Sequence, residues 1–268
     1  MKQVVVVTGS SKGIGRELAE MYHRNGVEVF GLARTACDAG FNQIACDVSS
    51  LECVEAAVAD ILRRAGRIDL LVNNAGYGIS GAVENVSLPD SQSITGVNFF
   101  GVFHCVKAAL PHLRASRGKI INVASVAALL PIPFQAFYSA TKSAVYAFSL
   151  ALQNEVAPLG VQVCCILPGD ARTAFTANRK KGDAEGVYAE AANRSVAVME
   201  QDEQGGMSAR FVAQKIYALS RRRRLPLVKI VGLKYQVLYG LSRLLPVGVV
   251  NHVIRKMYCS ACRPDPHR

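Results

Sequence analysis

Short apolar runs alternate with amphipathic segments along the first 170 residues of the chain. Gln3 to Val7, Val27 to Leu32, Gln43 to Cys46, Ile68 to Val72, Lys119 to Val123 and Val161 to Ile166 read as buried strands, several nearly continuous in Val, Ile and Leu. Between them, residues 13–25, 50–65, 95–114 and 137–157 carry helical periodicity. Strand–helix alternation builds a parallel sheet covered on both faces. The predicted fold is therefore α/β: a single doubly wound Rossmann-type domain with a mainly parallel sheet. Ligands of such sheets bind beyond the carboxyl ends of the strands, which is where chemistry is to be sought.

Those ends carry the unusual residues. The first strand runs into Thr8-Gly9-Ser10-Ser11-Lys12-Gly13-Ile14-Gly15, which opens a helix. Glycines there permit a sharp turn and let backbone N–H groups approach a pyrophosphate at the positive end of the helix. The second strand ends at Arg34, roughly 20 residues on, where NAD-binding proteins place an acid for the ribose 2′-hydroxyl. A basic residue there, with Lys12 in the loop, suits a 2′-phosphate and favours NADP(H). Asp47-Val48 follows the third strand, where Asp47 can accept a hydrogen bond from an adenine amino group.

The next two strands end in Asn73-Asn74-Ala75-Gly76 and Asn122-Val123-Ala124-Ser125, and Tyr138 and Lys142 start the following helix at i, i+4 spacing. A free phenol, with a pKa of about 10, is a poor base near neutrality. A neighbouring ammonium that stabilises the phenolate corrects that. In ketone reduction Tyr138 would give its proton to the carbonyl oxygen while Ser125 hydrogen-bonds the same oxygen; oxidation reverses the roles.

Taken together these motifs resemble the short-chain dehydrogenase/reductase family over residues 3 to 173. Gly9, Gly13 and Gly15 match its glycine motif, Asp47 its adenine-side acid, and Asn74, Ala75 and Gly76 its Asn-Asn-Ala-Gly run. Asn98, Ser125, Tyr138 and Lys142 match its active-site residues, and Pro168-Gly169 its Pro-Gly motif. The resemblance implies a water held by Asn98 that links Lys142 to solvent, and a carboxamide contact from Thr173. It also implies a cofactor role for Thr8, Ser11, Ile14 and Val48 besides Tyr138 and Lys142. Ala171 departs from the family, which commonly has a larger aliphatic residue there.

Charge divides the chain. Residues 1–200 hold 18 Lys and Arg against 17 Asp and Glu, whereas residues 201–268 hold 13 against 3. The expected organisation is a catalytic domain over 1–220, with a substrate loop and lid over 173–206, followed by a basic helical extension over 221–268. Gly182 and Gly205-Gly206 are the expected flex points of that lid. Arg221-Arg222-Arg223-Arg224 and the apolar Leu225–Tyr258 segment leave two readings open: a cover for the core or an oligomer interface, or a segment lying on an anionic membrane. No aromatic-rich basic face accompanies the arginines, so nucleic acid is not an expected partner.

The eight cysteines sit mostly inside apolar runs and read as small buried hydrophobes; Cys259-Ser-Ala-Cys262 has no second pair, and no metal site is expected. The start is too short for a signal peptide and no run of about 18 apolar residues occurs, so a cytoplasmic chain, at most peripheral to a membrane, is expected. Similar basic tails occur in family members acting on steroids, retinoids or acylated ketones. The expected activity is NADP(H)-linked interconversion of a hydrophobic, steroid-like or lipid-like ketone with its secondary alcohol. The alternatives are reduction of 3-oxoacyl groups on an acidic carrier protein, and a non-catalytic nucleotide sensor. The family's usual dimer faces, residues 95–114 and 137–157, carry Val102, Val106, Val145 and Phe148, and a dimer is the expected oligomer.

Overall fold

Seven parallel strands form one sheet in a computed structural model that describes residues 2–35, 37–182 and 186–259. The first half of the chain supplies β1 (Val4–Thr8), α1 (Gly13–Arg24), β2 (Glu28–Ala33), β3 (Asn42–Ala45), α2 (Leu51–Ala65), β4 (Leu70–Asn73) and a short β5 (Ile79–Ser80). Helices α3 (Leu88–Thr95) and α4 (Gly101–Ser116) lead to β6 (Lys119–Val123), α5 (Ala136–Val156) and β7 (Gln162–Pro168). Beyond lie β8 (Ala171–Arg172), β9 (Lys180–Lys181), α6 (Ala189–Gln204), β10 (Met207–Ser208), α7 (Ala209–Ser220), β11 (Val228–Val231), α8 (Leu233–Ser242) and α9 (Val247–Cys259).

The strand order is β11-β7-β6-β4-β1-β2-β3. The chain winds outward from β1 in one direction and from β4 in the other, so the crevice between these strands is the topological switch point. Successive side chains of a strand face opposite layers. Accordingly Val4 and Val6 pack into the core cluster that α2, α4 and α5 cover, and Val5 and Val7 into the one that α1 and α7 cover. The Tyr22 hydroxyl meets Ser220 Oγ at 2.5 Å and ties α1 to α7.

Six of the seven strands are those the apolar runs predict. The seventh, β11, pairs in register with β7, Val228 opposite Cys165 and Val231 opposite Pro168. Its sequence, Val-Lys-Ile-Val, lacks a continuous apolar run because an edge strand has a partner on one side only. The boundary expected at residue 220 would leave β11, a strand of the same sheet, in the extension; the helical part of that extension starts only at α8. Lys119, first residue of β6, donates through Nζ to Ser220 O at 2.8 Å and Arg222 O at 2.6 Å. The arginine run therefore begins at the amino ends of the strands, away from the carboxyl ends where the expected site residues lie.

Residues 88–116 form a single helix, longer than expected at its amino end, where Ser87 Oγ accepts from Asp90 N–H. Gly96–Phe100 within it is a π-turn, a wider loop of backbone common at functional sites, and it contains the buried Asn98. By length and apolar content this helix could cross a membrane, but Val102, Cys105, Val106, Ala109 and Leu113 pack into the core. Of the expected dimer-face residues, Val102, Val106 and Val145 are buried within the chain; Phe100 and Phe103 are exposed on the same helix.

Candidate active site

The glycine loop is shaped by backbone necessity. Gly9 and Gly13 have positive φ, at 67° and 59°, and a Cβ at Gly15 would lie 2.3 Å from Gly9 O. Thr8 Oγ1 bridges the switch crevice by accepting from Asn74 N and Ala75 N, each at 2.9 Å, while Asn74 Nδ2 donates to Thr8 O at 3.0 Å. The loop is thus held open to a ligand at the start of α1, with Ser11 half-buried and Ile14 on the cavity wall. A tight glycine loop of this kind at the amino end of α1, packed on Gly9 and Asn74 where a Cβ at Gly15 would collide, fits a dinucleotide pyrophosphate.

Arg34 is exposed beyond β2, and Lys12 is exposed with its Nζ on Asn178 Oδ1 at 2.6 Å. Asp47 accepts from Ser49 N at 2.9 Å and Ser49 Oγ at 2.7 Å. Burial acts to raise its carboxyl, but those hydrogen bonds and the Arg34 charge outweigh it and hold the group below the usual carboxylate range. Val48 is buried against Gly101, and its carbonyl lies 2.9 Å from His104 Nδ1.

At the end of β6, Ser125 is half-buried and its Oγ accepts from Ala127 N at 3.2 Å. Tyr138 and Lys142 lie one turn apart on α5, both buried. Lys142 Nζ donates to Val123 O at 3.0 Å and lies 5.8 Å from the Tyr138 ring centroid. Burial pushes the Tyr138 phenol up to about 12, against a hydrogen bond with Ser125 that draws it down, so the phenol is raised, whereas the Tyr138–Lys142 spacing predicts a lowered one. Burial likewise pushes the Lys142 ammonium down to about 8.

Asn98 is fixed by three bonds: Oδ1 accepts from Tyr77 N at 3.0 Å, and Nδ2 donates to Tyr77 O at 3.0 Å and Thr141 Oγ1 at 3.2 Å. A Cβ at Gly76 would fall 3.0 Å from Asn98 Oδ1 and 3.3 Å from Lys142 Nζ, so a larger residue there would press on both groups.

Ser125, Tyr138 and Lys142 line a cavity of about 390 Å³ together with Ile14, Asn74, Gly76, Pro168, Gly169 and Thr173. Ala171, the departure from the family pattern, lines it too, and pairs in register with Met207. The expected flex points are held by backbone: Gly182 N donates to Ser80 O at 2.7 Å, Gly205 N to Gln201 O at 3.0 Å, and a Cβ at Gly206 would meet Asp170 O at 2.5 Å. Cys259 closes α9; Cys262 lies outside the described residues, and among those described no metal-ligand cluster forms.

Three features of the site escape sequence reading. The Phe175 ring stands 5.5 Å from that of Tyr138, and the Arg179 guanidinium lies 5.8 Å from Phe175. Arg179 in turn forms a buried ion pair with Glu203, whose carboxyl burial pushes up while Thr176 Oγ1, at 2.5 Å, and the Arg179 charge pull it down. Next, Tyr235 packs its ring on Gly169 and donates to Asp170 Oδ2. Finally, α8, α9 and the turn between them wall the cavity with Leu238, Leu241, Leu245, Val250, Val253, Ile254 and Met257. These partners lie tens of residues apart in the chain, so no local pattern marks them.

A switch-point crevice with a glycine cradle, beside a Ser–Tyr–Lys set at the strand ends, defines a nicotinamide-dinucleotide oxidoreductase. The short chain dehydrogenase family model matches residues 3–184, and the chain belongs to the short-chain dehydrogenase/reductase family, whose members act on ketone and alcohol groups. The chain is 37% identical over 263 residues to a 3-ketodihydrosphingosine reductase of Bacteroides thetaiotaomicron, covering 96% of this chain and 98% of that protein. A crystal structure of a short-chain dehydrogenase from Streptomyces avermitilis superposes with a TM-score of 0.80 at 28% identity, over 97% of this chain and 98% of the other. An alcohol dehydrogenase from Thermococcus sibiricus, complexed with 5-hydroxy-NADP, is similar with a TM-score of 0.73 at 25% identity, over 88% and 98%.

Proposed function

We propose that this protein is an NADP(H)-dependent reductase of a long, lipid-like ketone, forming the secondary alcohol. The observation that carries the substrate class is the wall of the cavity. Seven aliphatic and methionine side chains from α8, α9 and the turn between them line it together with Ser125 and Tyr138. An apolar chain gains roughly 0.8 kcal/mol per buried CH₂ in such surroundings. The Bacteroides relative, named for reducing 3-ketodihydrosphingosine, supports a lipid ketone over a steroid.

Gly9, Gly13 and Gly15 would hold the pyrophosphate, Asp47 and Val48 the adenine, and Arg34 and Lys12 a 2′-phosphate. The bound dinucleotide would supply the hydride. Ser125 Oγ holds the carbonyl oxygen in line by a hydrogen bond, and Tyr138 gives that oxygen its proton. A phenol held near 12 is fully protonated at neutral pH, as a donor must be. The Lys142 ammonium stabilises the phenolate left behind, and Asn98, beside Lys142 across Gly76, positions the route by which the proton is replaced.

Two other readings carry less. A carrier-protein substrate would use the arginine run as its docking patch, but Arg222 sits at the amino end of β6, away from the cavity. A nucleotide sensor would have no use for the Ser125–Tyr138–Lys142 arrangement. A panel of ketones assayed with NADPH and NADH tests the proposal. Long-chain free ketones with NADPH should give the highest kcat/KM, and Arg34→Ala should lower kcat/KM for NADPH about tenfold while leaving NADH unchanged. A carrier-linked 3-oxoacyl substrate turned over far faster than any free ketone would sink the lipid reading.

A further inference from the structure

The turn that joins α8 to α9 reads Arg243-Leu244-Leu245-Pro246-Val247. Connections between helices lie on the surface and are ordinarily polar. Here Leu244 is 81% exposed and Val247 85%, and Leu233 at the start of α8 is 76% exposed. Val237 and Leu241 on α8 and Val253 and Met257 on α9 extend the exposed apolar surface. Leu241, Leu245, Val253 and Met257 also line the cavity, so its wall and the outer surface are a single layer of side chains.

Charge identifies the occupant. Residues 233–259 contain four Lys and Arg and no Asp or Glu; Lys234 pairs with Asp202 at 4.0 Å, and Arg243, Arg255 and Lys256 lie on or between the two apolar helices. Two copies of this face would bring cation against cation. An anionic phospholipid surface offers both an apolar interior for Leu244 and Val247 and headgroups for the cations.

We infer that the α8–α9 turn docks the protein on an anionic bilayer, with the thin wall of the cavity turned toward the lipid from which the substrate comes. The entry route rests on the lipid-ketone reading; the docking itself does not.

Co-sedimentation with vesicles of phosphatidylcholine alone, and of phosphatidylcholine mixed with phosphatidylglycerol, tests it without any substrate. The wild-type chain should pellet with the mixed vesicles, far less with phosphatidylcholine, and be released by high salt. Leu244→Asp/Val247→Asp should weaken binding at least about tenfold, and Arg243→Gln/Arg255→Gln/Lys256→Gln should remove the preference for phosphatidylglycerol. Turnover of a short, water-soluble ketone should stay within about twofold in the first variant, since neither side chain lines the cavity. Equal pelleting of wild type and Leu244→Asp/Val247→Asp, or no pelleting with mixed vesicles, overturns the inference. So does a wild-type dimer in sedimentation velocity that this variant dissociates, because the face is then a contact between copies. A carrier-linked substrate preference alongside intact vesicle binding would remove the lipid-ketone reading and leave the docking standing.

Discussion

Asn98, Tyr138 and Lys142 are buried, polar and hydrogen-bonded, with half-buried Ser125 beside them, whereas the wall built by α8 and α9 is apolar and largely exposed. The floor of the cavity depends on direction: Lys142 on Val123 O, Asn98 on Tyr77 and Thr141, Ser125 on Ala127. The wall depends on area, which is non-directional and tolerant of substitution. Under the proposed function, the difference makes chemistry and substrate choice separable in this molecule, one held by geometry and the other by surface.

The sharpest test of that separation is Tyr138→Phe. Removing the proposed proton donor should lower kcat about a thousandfold for every ketone, with NADPH affinity by fluorescence titration within a few-fold of wild type. A loss confined to long ketones would show that floor and wall are not distinct.

The pH dependence gives the next largest effect. Burial holds Lys142 near 8, so its charge is present below that pH and lost above it, while Tyr138, near 12, stays protonated across the range. The reductive rate should therefore be level below pH 8 and fall about tenfold per unit above it, alike for short and long ketones. A profile flat to pH 10 would remove Lys142 from the proposed role.

The smallest effect belongs to the wall. Leu241→Ala should raise KM about fivefold for a long-chain ketone and leave kcat and short-chain ketones unchanged, read from steady-state kinetics on a chain-length series. An equal loss on short ketones would mean that the wall positions the floor.

The floor was legible because its motifs are local. Thr8 to Gly15, Asn73 to Gly76 and the Tyr138–Lys142 spacing each occupy one turn or loop, and six strands announce themselves as apolar runs. Strand β11 did not, since an edge position tolerates Lys229 in its middle. Nor did the π-turn at Asn98, whose neighbours Gly96 to Phe100 have ordinary helical character. The Arg179–Glu203 pair and the packing of Tyr235 on Gly169 join residues far apart in sequence, and only the folded chain brings them together. The α8–α9 segment showed its composition but not its place: the apolar residues that could have covered the core or lain on a membrane turn out to line the cavity with one side and meet solvent with the other.

The pairing of Val231 with Pro168, followed by the turn at Gly232, fixes how the terminal helices are attached. Helices α8 and α9 follow the last strand of the sheet, downstream of all four floor residues, and Tyr235 on Gly169 and Asp170 ties α8 back to the carboxyl end of β7. Under the proposed function, substitutions that alter substrate choice and substitutions that alter proton transfer therefore fall on different stretches of the chain.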